Sequence, residues 1–247
     1  MPLLEEQFRS IALENERTIW LRIPANPTQE ALPLLLFPDG EIYREQLDAE
    51  AVLDRLVAQG EIEECLAVFV SHISPDHRFR ELPAFPPFAT FVLDELLPWI
   101  EKCFAVDQDP LRRTMLGLSY SGLAAAYVAF QSAGRIGQVI AQSGSFWSEG
   151  GHLIDLFSQC NPVPIRFYLE VGSEETQDYL KHRPDLIQQE SQLLANRRFR
   201  TALLRQGYAV EYREIPGGTH HPNSWRNTLP HALMWALSPD CRSGEGL

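Results

Sequence analysis

The chain of 247 residues is 45% hydrophobic and 22% charged, a globular balance that excludes a disordered polymer and allows a core that needs no disulfide or metal. A formal net charge of −12 argues against a nucleic-acid partner, because phosphate binding requires clustered Lys and Arg. Cys65, Cys103, Cys160 and Cys241 make no CxxC pair and have no His at ligand spacing, so neither a metal nor another cofactor is expected.

Met1-Pro2-Leu3-Leu4-Glu5-Glu6 lacks the basic region and apolar stretch of a signal peptide, and apolar runs such as 66–70 are too short to span a membrane. No membrane partner and a cytoplasmic location are therefore the expectation. Short β-rich runs then alternate with longer helical patterns, which predicts one α/β domain over 1–247. Residues 18–23 read as an early strand. The apolar run 32–37 reads as a buried strand closed by the turn Pro38-Asp39-Gly40. Residues 45–58 have helical spacing, with Leu47, Val52, Leu53 and Leu56 on one side.

Residues 65–71 predict another buried strand, with Cys65 in the core. The prolines of 83–87 exclude regular helix, whereas 88–104 predicts a helix that Pro98 kinks, with Cys103 also expected in the core. Strands are predicted at 112–117, 136–141, 165–171 and 209–215. Helices are predicted at 123–130, 184–206 and 224–237.

The strand 112–117 runs directly into Gly117-Leu118-Ser119-Tyr120-Ser121-Gly122 and then an Ala-rich helix. A nucleophilic Ser on a sharp strand-to-helix turn needs small neighbours, because the turn forces strained backbone angles. Gly117 meets that need two residues before Ser119. Two residues after it stands Ser121 in place of the usual Gly, so the pattern is a near relative of G-x-S-x-G. The bland alternative is a Gly-Ser connection that merely caps the helix.

A Ser hydroxyl needs a base to take its proton and a third group to orient that base. In this arrangement the chain order is Ser, acid, His, at the ends of later strands. Strand 165–171 ends in Gly172-Ser173-Glu174-Glu175, and strand 209–215 leads to Gly217-Gly218-Thr219-His220-His221. The Gly-Gly loop after a strand singles out the His220-His221 pair among the seven histidines. Two backbone N–H donors must face the developing oxyanion. One is expected from Tyr120 and the other from the turn Asp39-Gly40-Glu41.

These segments resemble the catalytic domain of the enterochelin esterases and the wider group of related esterases. The likeness rests on Leu35-Leu36-Phe37-Pro38-Asp39-Gly40, on His77-Arg78-Phe79-Arg80-Glu81-Leu82-Pro83, on Gly117 to Gly122 with Gln142-Ser143-Gly144-Ser145-Phe146-Trp147, and on Gly217-Gly218-Thr219-His220 with Trp225-Arg226. It covers the chain from about residue 30 to the end. The resemblance implies the α/β-hydrolase fold, a mostly parallel sheet with helices on both faces. It also implies a serine carboxylic-ester hydrolase acting through a Ser119 acyl-enzyme on catecholate-siderophore or related small-molecule esters.

Residue by residue, the resemblance makes Ser119 the nucleophile and His220 the base, with His221 open because one residue is inserted after Gly218. It makes Glu175 the acid, with Glu174 and Asp178 as competitors. Tyr120 and Glu41 are expected to supply the oxyanion amides, the Glu41 side chain pointing away. Arg78 is expected either to meet a catecholate oxygen or to pair with Glu81, and Trp147 and Trp225 to form aromatic walls. The competing readings are an esterase for a feruloyl, acetyl or similar acyl group, and a non-catalytic binding protein of the same fold.

Overall fold

The apolar runs become the centre of one eight-stranded sheet. The computed structural model describes residues 3–25 and 29–238. Its strands are β1 (Leu3–Ser10), β2 (Asn15–Arg22), β3 (Leu34–Pro38), β4 (Leu66–Val70), β5 (Arg113–Leu118), β6 (Gln138–Gln142), β7 (Arg166–Gly172), β8 (Leu180–Arg183), β9 (Leu186–Gln188) and β10 (Ala209–Ile215). The sheet order is β1-β2-β4-β3-β5-β6-β7-β10, while β8 and β9 form a separate hairpin. β1–β2 and β2–β4 are antiparallel, and every neighbouring pair from β4 to β10 is parallel.

Helices are α1 (Ala49–Ala58), α2 (Pro75–Glu81), α3 (Pro86–Thr90), α4 (Leu97–Cys103), α5 (Tyr120–Gln131), α6 (His152–Gln159), α7 (Gln192–Arg205) and α8 (Pro222–Leu237). Every residue of β3, β4, β5 and β6 is buried, as expected of strands covered on both faces. Side chains alternate between the faces: Leu34 and Leu36 join the core beneath α3 to α7, and Leu35 and Phe37 join the core beneath α1 and α8. This α/β architecture agrees with the fold that the sequence predicts, and it places the carboxyl ends of β3 to β7 and β10 along one crest. Ligands of open parallel sheets bind at such a crest.

Several elements differ from expectation. The helix predicted at 45–58 begins only at Ala49, because Asp48 takes a left-handed φ of 56° and separates it from a π-helical turn at Ile42–Gln46. The segment predicted as helix 88–104 is α3, a π-helical stretch Phe91–Leu96, and α4. Pro98 has no N–H for the regular ladder, and the widened turn before it absorbs the defect. Helix α3 also starts within 83–87, since prolines fit a first turn, where N–H groups have no partner within the helix.

The helix predicted at 184–206 is also corrected. Its first part pairs with Leu180–Arg183 as the β8–β9 hairpin, and α7 starts after Ser191, whose hydroxyl accepts from Leu194 N–H. Cys65 is buried as expected, but Cys103 is exposed at the end of α4. Cys241 lies outside the described residues. Among the described residues, no helix is long and apolar enough to cross a membrane.

Candidate active site

Ser119 follows β5 and precedes α5 with φ 51° and ψ −121°, a conformation that costs an L-residue strain. Gly117 is required here: a Cβ on it would lie 2.0 Å from the Ser121 carbonyl oxygen. Ser121 does not crowd the turn. Its buried hydroxyl donates to Leu118 O at 2.8 Å and accepts from Leu118 N–H at 2.9 Å, tying the strand end to the helix start.

The ends of β7 and β10 bring the expected acid and the expected base together. A Cβ on Gly172 would sit 2.3 Å from Gly218 O, so only glycine allows the two backbones to pass. Ser173 N–H then donates to Ile215 O, and Glu174 N–H to Gly218 O. On this clamped pair of loops, His220 Nε2 lies 3.0 Å from Ser119 Oγ, and His220 Nδ1 lies 2.6 Å from Glu175 Oε2. The carboxylate fixes the proton on Nδ1, which leaves Nε2 free to accept from the serine hydroxyl. Glu175 is buried, and its Oε1 accepts from Gly172 N–H at 2.8 Å and Ser143 Oγ at 2.6 Å.

The competitors sit elsewhere. His221 caps α8, its Nδ1 accepting from Asn223 N–H at 3.2 Å. Glu174 is exposed and accepts from its neighbour Ser173, and Asp178 is exposed.

Two serines at the end of β6 enter the site, and their spacing alone gave them no role. Ser143 bridges Trp225 Nε1, which donates to it at 3.0 Å, and Glu175. Ser145 Oγ lies 3.2 Å from Ser119 Oγ, and Ser145 N–H donates to Ser119 O at 2.9 Å. The Ser-Gly-Ser run was visible as part of the resemblance.

On the other side stands the turn after β3. Asp39 is buried with φ 68°, and its carbonyl accepts from Ile42 and Tyr43 N–H. Its carboxylate is gripped by Arg78, with Nε at 2.8 Å and Nη2 at 2.7 Å. The expected alternative pairing of Arg78 with Glu81 is not found: Glu81 pairs with buried Arg17 at 2.8 Å. His72 Nδ1 lies 3.0 Å from Glu41 Oε2 and 3.4 Å from Asp39 Oδ1.

The carboxylates of Asp39, first, and Glu41 push the His72 imidazole up to about 9, against its partial burial. Burial would raise the Asp39 carboxyl, but Arg78 and then His72 outweigh it and hold Asp39 below its usual range. The Glu41 carboxylate accepts from His72 N–H, so this side chain is tied to the loop after β4. Tyr120 N–H is the first amide of α5, where helix amides have no partner within the helix.

Trp147 and Trp225, the expected aromatic walls, are both 6% exposed, so each offers little surface beyond its contacts with site residues. Trp225 lies edge-on to His220 at 4.9 Å between ring centres. Trp147 stacks on His182 and meets Tyr120 edge-on. They pack against site residues because each indole N–H is committed to a buried partner, Ser143 for Trp225 and Gln192 for Trp147.

This Ser–His–Glu geometry accompanies a family match: the model described as "Putative esterase" matches residues 10–236. The chain belongs to this esterase family. Among its relatives, the iron(III) enterobactin esterase of Dickeya dadantii is 33% identical over 245 residues, covering 94% of this chain and 54% of that protein. The crystal structure of the Shigella flexneri enterobactin esterase in the presence of enterobactin superposes with a TM-score of 0.83 at 26% identity, covering 96% of this chain and 59% of that one. The chain thus spans little more than half the length of these esterase relatives. A ferulic acid esterase shares the fold at a TM-score of 0.76 and 19% identity, over 96% of this chain and 98% of that one.

Proposed function

We propose that this member of the esterase family is a serine carboxylic-ester hydrolase that works through an acyl-enzyme on Ser119. The observation that carries the proposal is the relay from Ser119 Oγ through His220 to Glu175, with contacts of 3.0 and 2.6 Å on a strained strand-to-helix turn. Ser119 Oγ adds to the ester carbonyl carbon as its proton passes to His220 Nε2, and Glu175 stabilises the imidazolium. The negative carbonyl oxygen is met by the backbone N–H groups of Tyr120 and Glu41. Collapse breaks the bond to the leaving alcohol, which takes the proton from His220. Water, activated by the same imidazole, then releases the acid.

The proposed substrates are small catecholate-siderophore esters. Support comes from the names of the relatives, which apply to longer proteins, and from Arg78 at the crevice. Two of the Arg78 nitrogens are committed to Asp39 and the side chain is 14% exposed, so only its remaining face can reach a substrate oxygen.

The test is turnover of a catecholate trilactone, ferric and iron-free, beside a p-nitrophenyl acyl series. Preference for the trilactone supports the catecholate reading. Hydrolysis of simple or feruloyl esters alone moves the assignment to another acyl group, and turnover of none of them overturns the hydrolase reading.

A further inference from the structure

The hydroxyl of Ser145 touches the oxygen proposed above to be acylated, and the contact has a direction. Ser119 faces His220 Nε2 at 3.0 Å, and a base there accepts the Ser119 proton. The 3.2 Å contact between Ser145 Oγ and Ser119 Oγ is therefore donated by Ser145. Among the described residues, the structure gives the Ser145 hydroxyl this one partner, and Ser145 is 2% exposed, so water does not compete freely for it.

The donor is also held in place. Ser145 N–H donates to Ser119 O at 2.9 Å, Ser119 N–H donates to Gln142 O at 3.0 Å, and Ser148 N–H donates to Ser145 O at 3.0 Å. Backbone bonds thus lock the end of β6 to the nucleophile turn, and the two hydroxyls cannot drift apart independently.

We infer that Ser145 is a further catalytic residue, whose hydroxyl stabilises Ser119 Oγ as it leaves the acyl-enzyme. The inference rests on Ser119 being the nucleophile and goes beyond it to the step that returns free enzyme. A hydrogen bond accelerates a step only if it is stronger in the transition state than in the ground state. Before acylation, Ser119 Oγ is a hydroxyl oxygen and already a good acceptor, so the bond from Ser145 is present and gains little. In the acyl-enzyme, Oγ is an ester oxygen and a poor acceptor.

When water has added and the tetrahedral adduct collapses, the carbon–Oγ bond breaks and its electron pair goes to Oγ. His220 delivers the proton there, and the acid departs. During that collapse the bond from Ser145 strengthens as charge builds on Oγ, as in charge-assisted bonds generally. Ser145 therefore favours deacylation over acylation.

Ser145→Ala removes one buried atom, and Ser145→Cys keeps a donor at that place, weaker and somewhat larger than the hydroxyl. In stopped-flow hydrolysis of p-nitrophenyl acetate, the burst reports acylation and the steady rate reports deacylation. Ser145→Ala should keep a burst of about one equivalent, with its rate changed less than about threefold. Its steady rate should fall about tenfold, as for loss of one charge-assisted hydrogen bond. Ser145→Cys should fall between, and intact-protein mass should show the acetyl adduct accumulating on Ser119.

Equal loss in both phases, or no loss in either, with the acetyl group on Ser119, overturns the role of Ser145 and leaves the nucleophile standing. An acetyl adduct on another residue in the unmodified protein overturns the nucleophile reading, and this inference with it.

Discussion

Glu175 holds His220 with one carboxylate oxygen and the end of its own strand with the other, Oε2 to Nδ1 at 2.6 Å and Oε1 to Gly172 N at 2.8 Å. Glu175→Gln cannot preserve both arrangements, because Ser143 also donates to Oε1 and an amide group accepts through one oxygen only. The variant should lose about 10²-fold or more in kcat with KM little changed. Full activity in Glu175→Gln with loss in Glu174→Gln would place the acid one residue earlier.

The two adjacent histidines should separate cleanly. His220→Ala should fail about as badly as Ser119→Ala, because members of a catalytic relay act as a unit. His221→Ala removes a cap from α8 and should lower stability by about 1 kcal/mol or less while turnover stays near the parent value. Paired assays of kcat and thermal midpoint decide this. Loss of turnover in His221→Ala with His220→Ala still active would reverse the assignment.

The turn at 39–41 should have a pH window. His72 is raised from about 6.5 to about 9 by Asp39 and Glu41, so its contribution is full below pH ~6.5 and is lost as pH rises through about 9. Asp39 is lowered, so its contribution is present above pH ~4 and is lost as pH falls through its depressed value. The kcat/KM profile should therefore bend down near pH 9, and His72→Gln should remove that bend and lower the neutral plateau. An unchanged alkaline limb in His72→Gln would detach this ion cluster from catalysis.

Arg78→Met should slow a neutral p-nitrophenyl ester as well as a catecholate ester, by about tenfold or more. The guanidinium grips buried Asp39, and removing it leaves that carboxylate only the longer 3.4 Å contact with His72, which Glu41 shares, under the proposed oxyanion turn. Arg78→Lys should recover little, because an ammonium cannot reproduce the forked contact. Loss confined to the catecholate ester would make Arg78 a substrate contact and the turn independent of it.

The parallel core was legible because strands buried on both faces must be continuous apolar runs, as in 32–37 and 65–71. β1 was not, because Leu-Leu-Glu-Glu-Gln-Phe-Arg-Ser lies at the sheet edge, mostly exposed, and needs no apolar alternation. Residues 184–191 carry helix-tolerant side chains, and only pairing with Leu180–Arg183 makes part of them a strand. Ser119, the Glu174-Glu175 pair and the His220-His221 pair were legible as candidates from strand ends and small residues, and the family resemblance pointed to Glu175 and His220 within them. Asp39, His72 and Arg78 as a cluster were not, because β3 and β4 become neighbours only through the sheet order. Ser145 gave no local signal, since a hydroxyl in a Ser-Gly-Ser loop has the same spacing whether or not it meets another chain segment.

The most direct test of the Ser119 assignment is labelling with a serine-directed fluorophosphonate, followed by peptide mass analysis. One equivalent should attach to Ser119, with hydrolysis lost in proportion. Ser119→Ala should take up no label and lose at least ~10³-fold in rate. Label on another residue, or undiminished labelling and turnover in Ser119→Ala, would contradict a Ser119 acyl-enzyme.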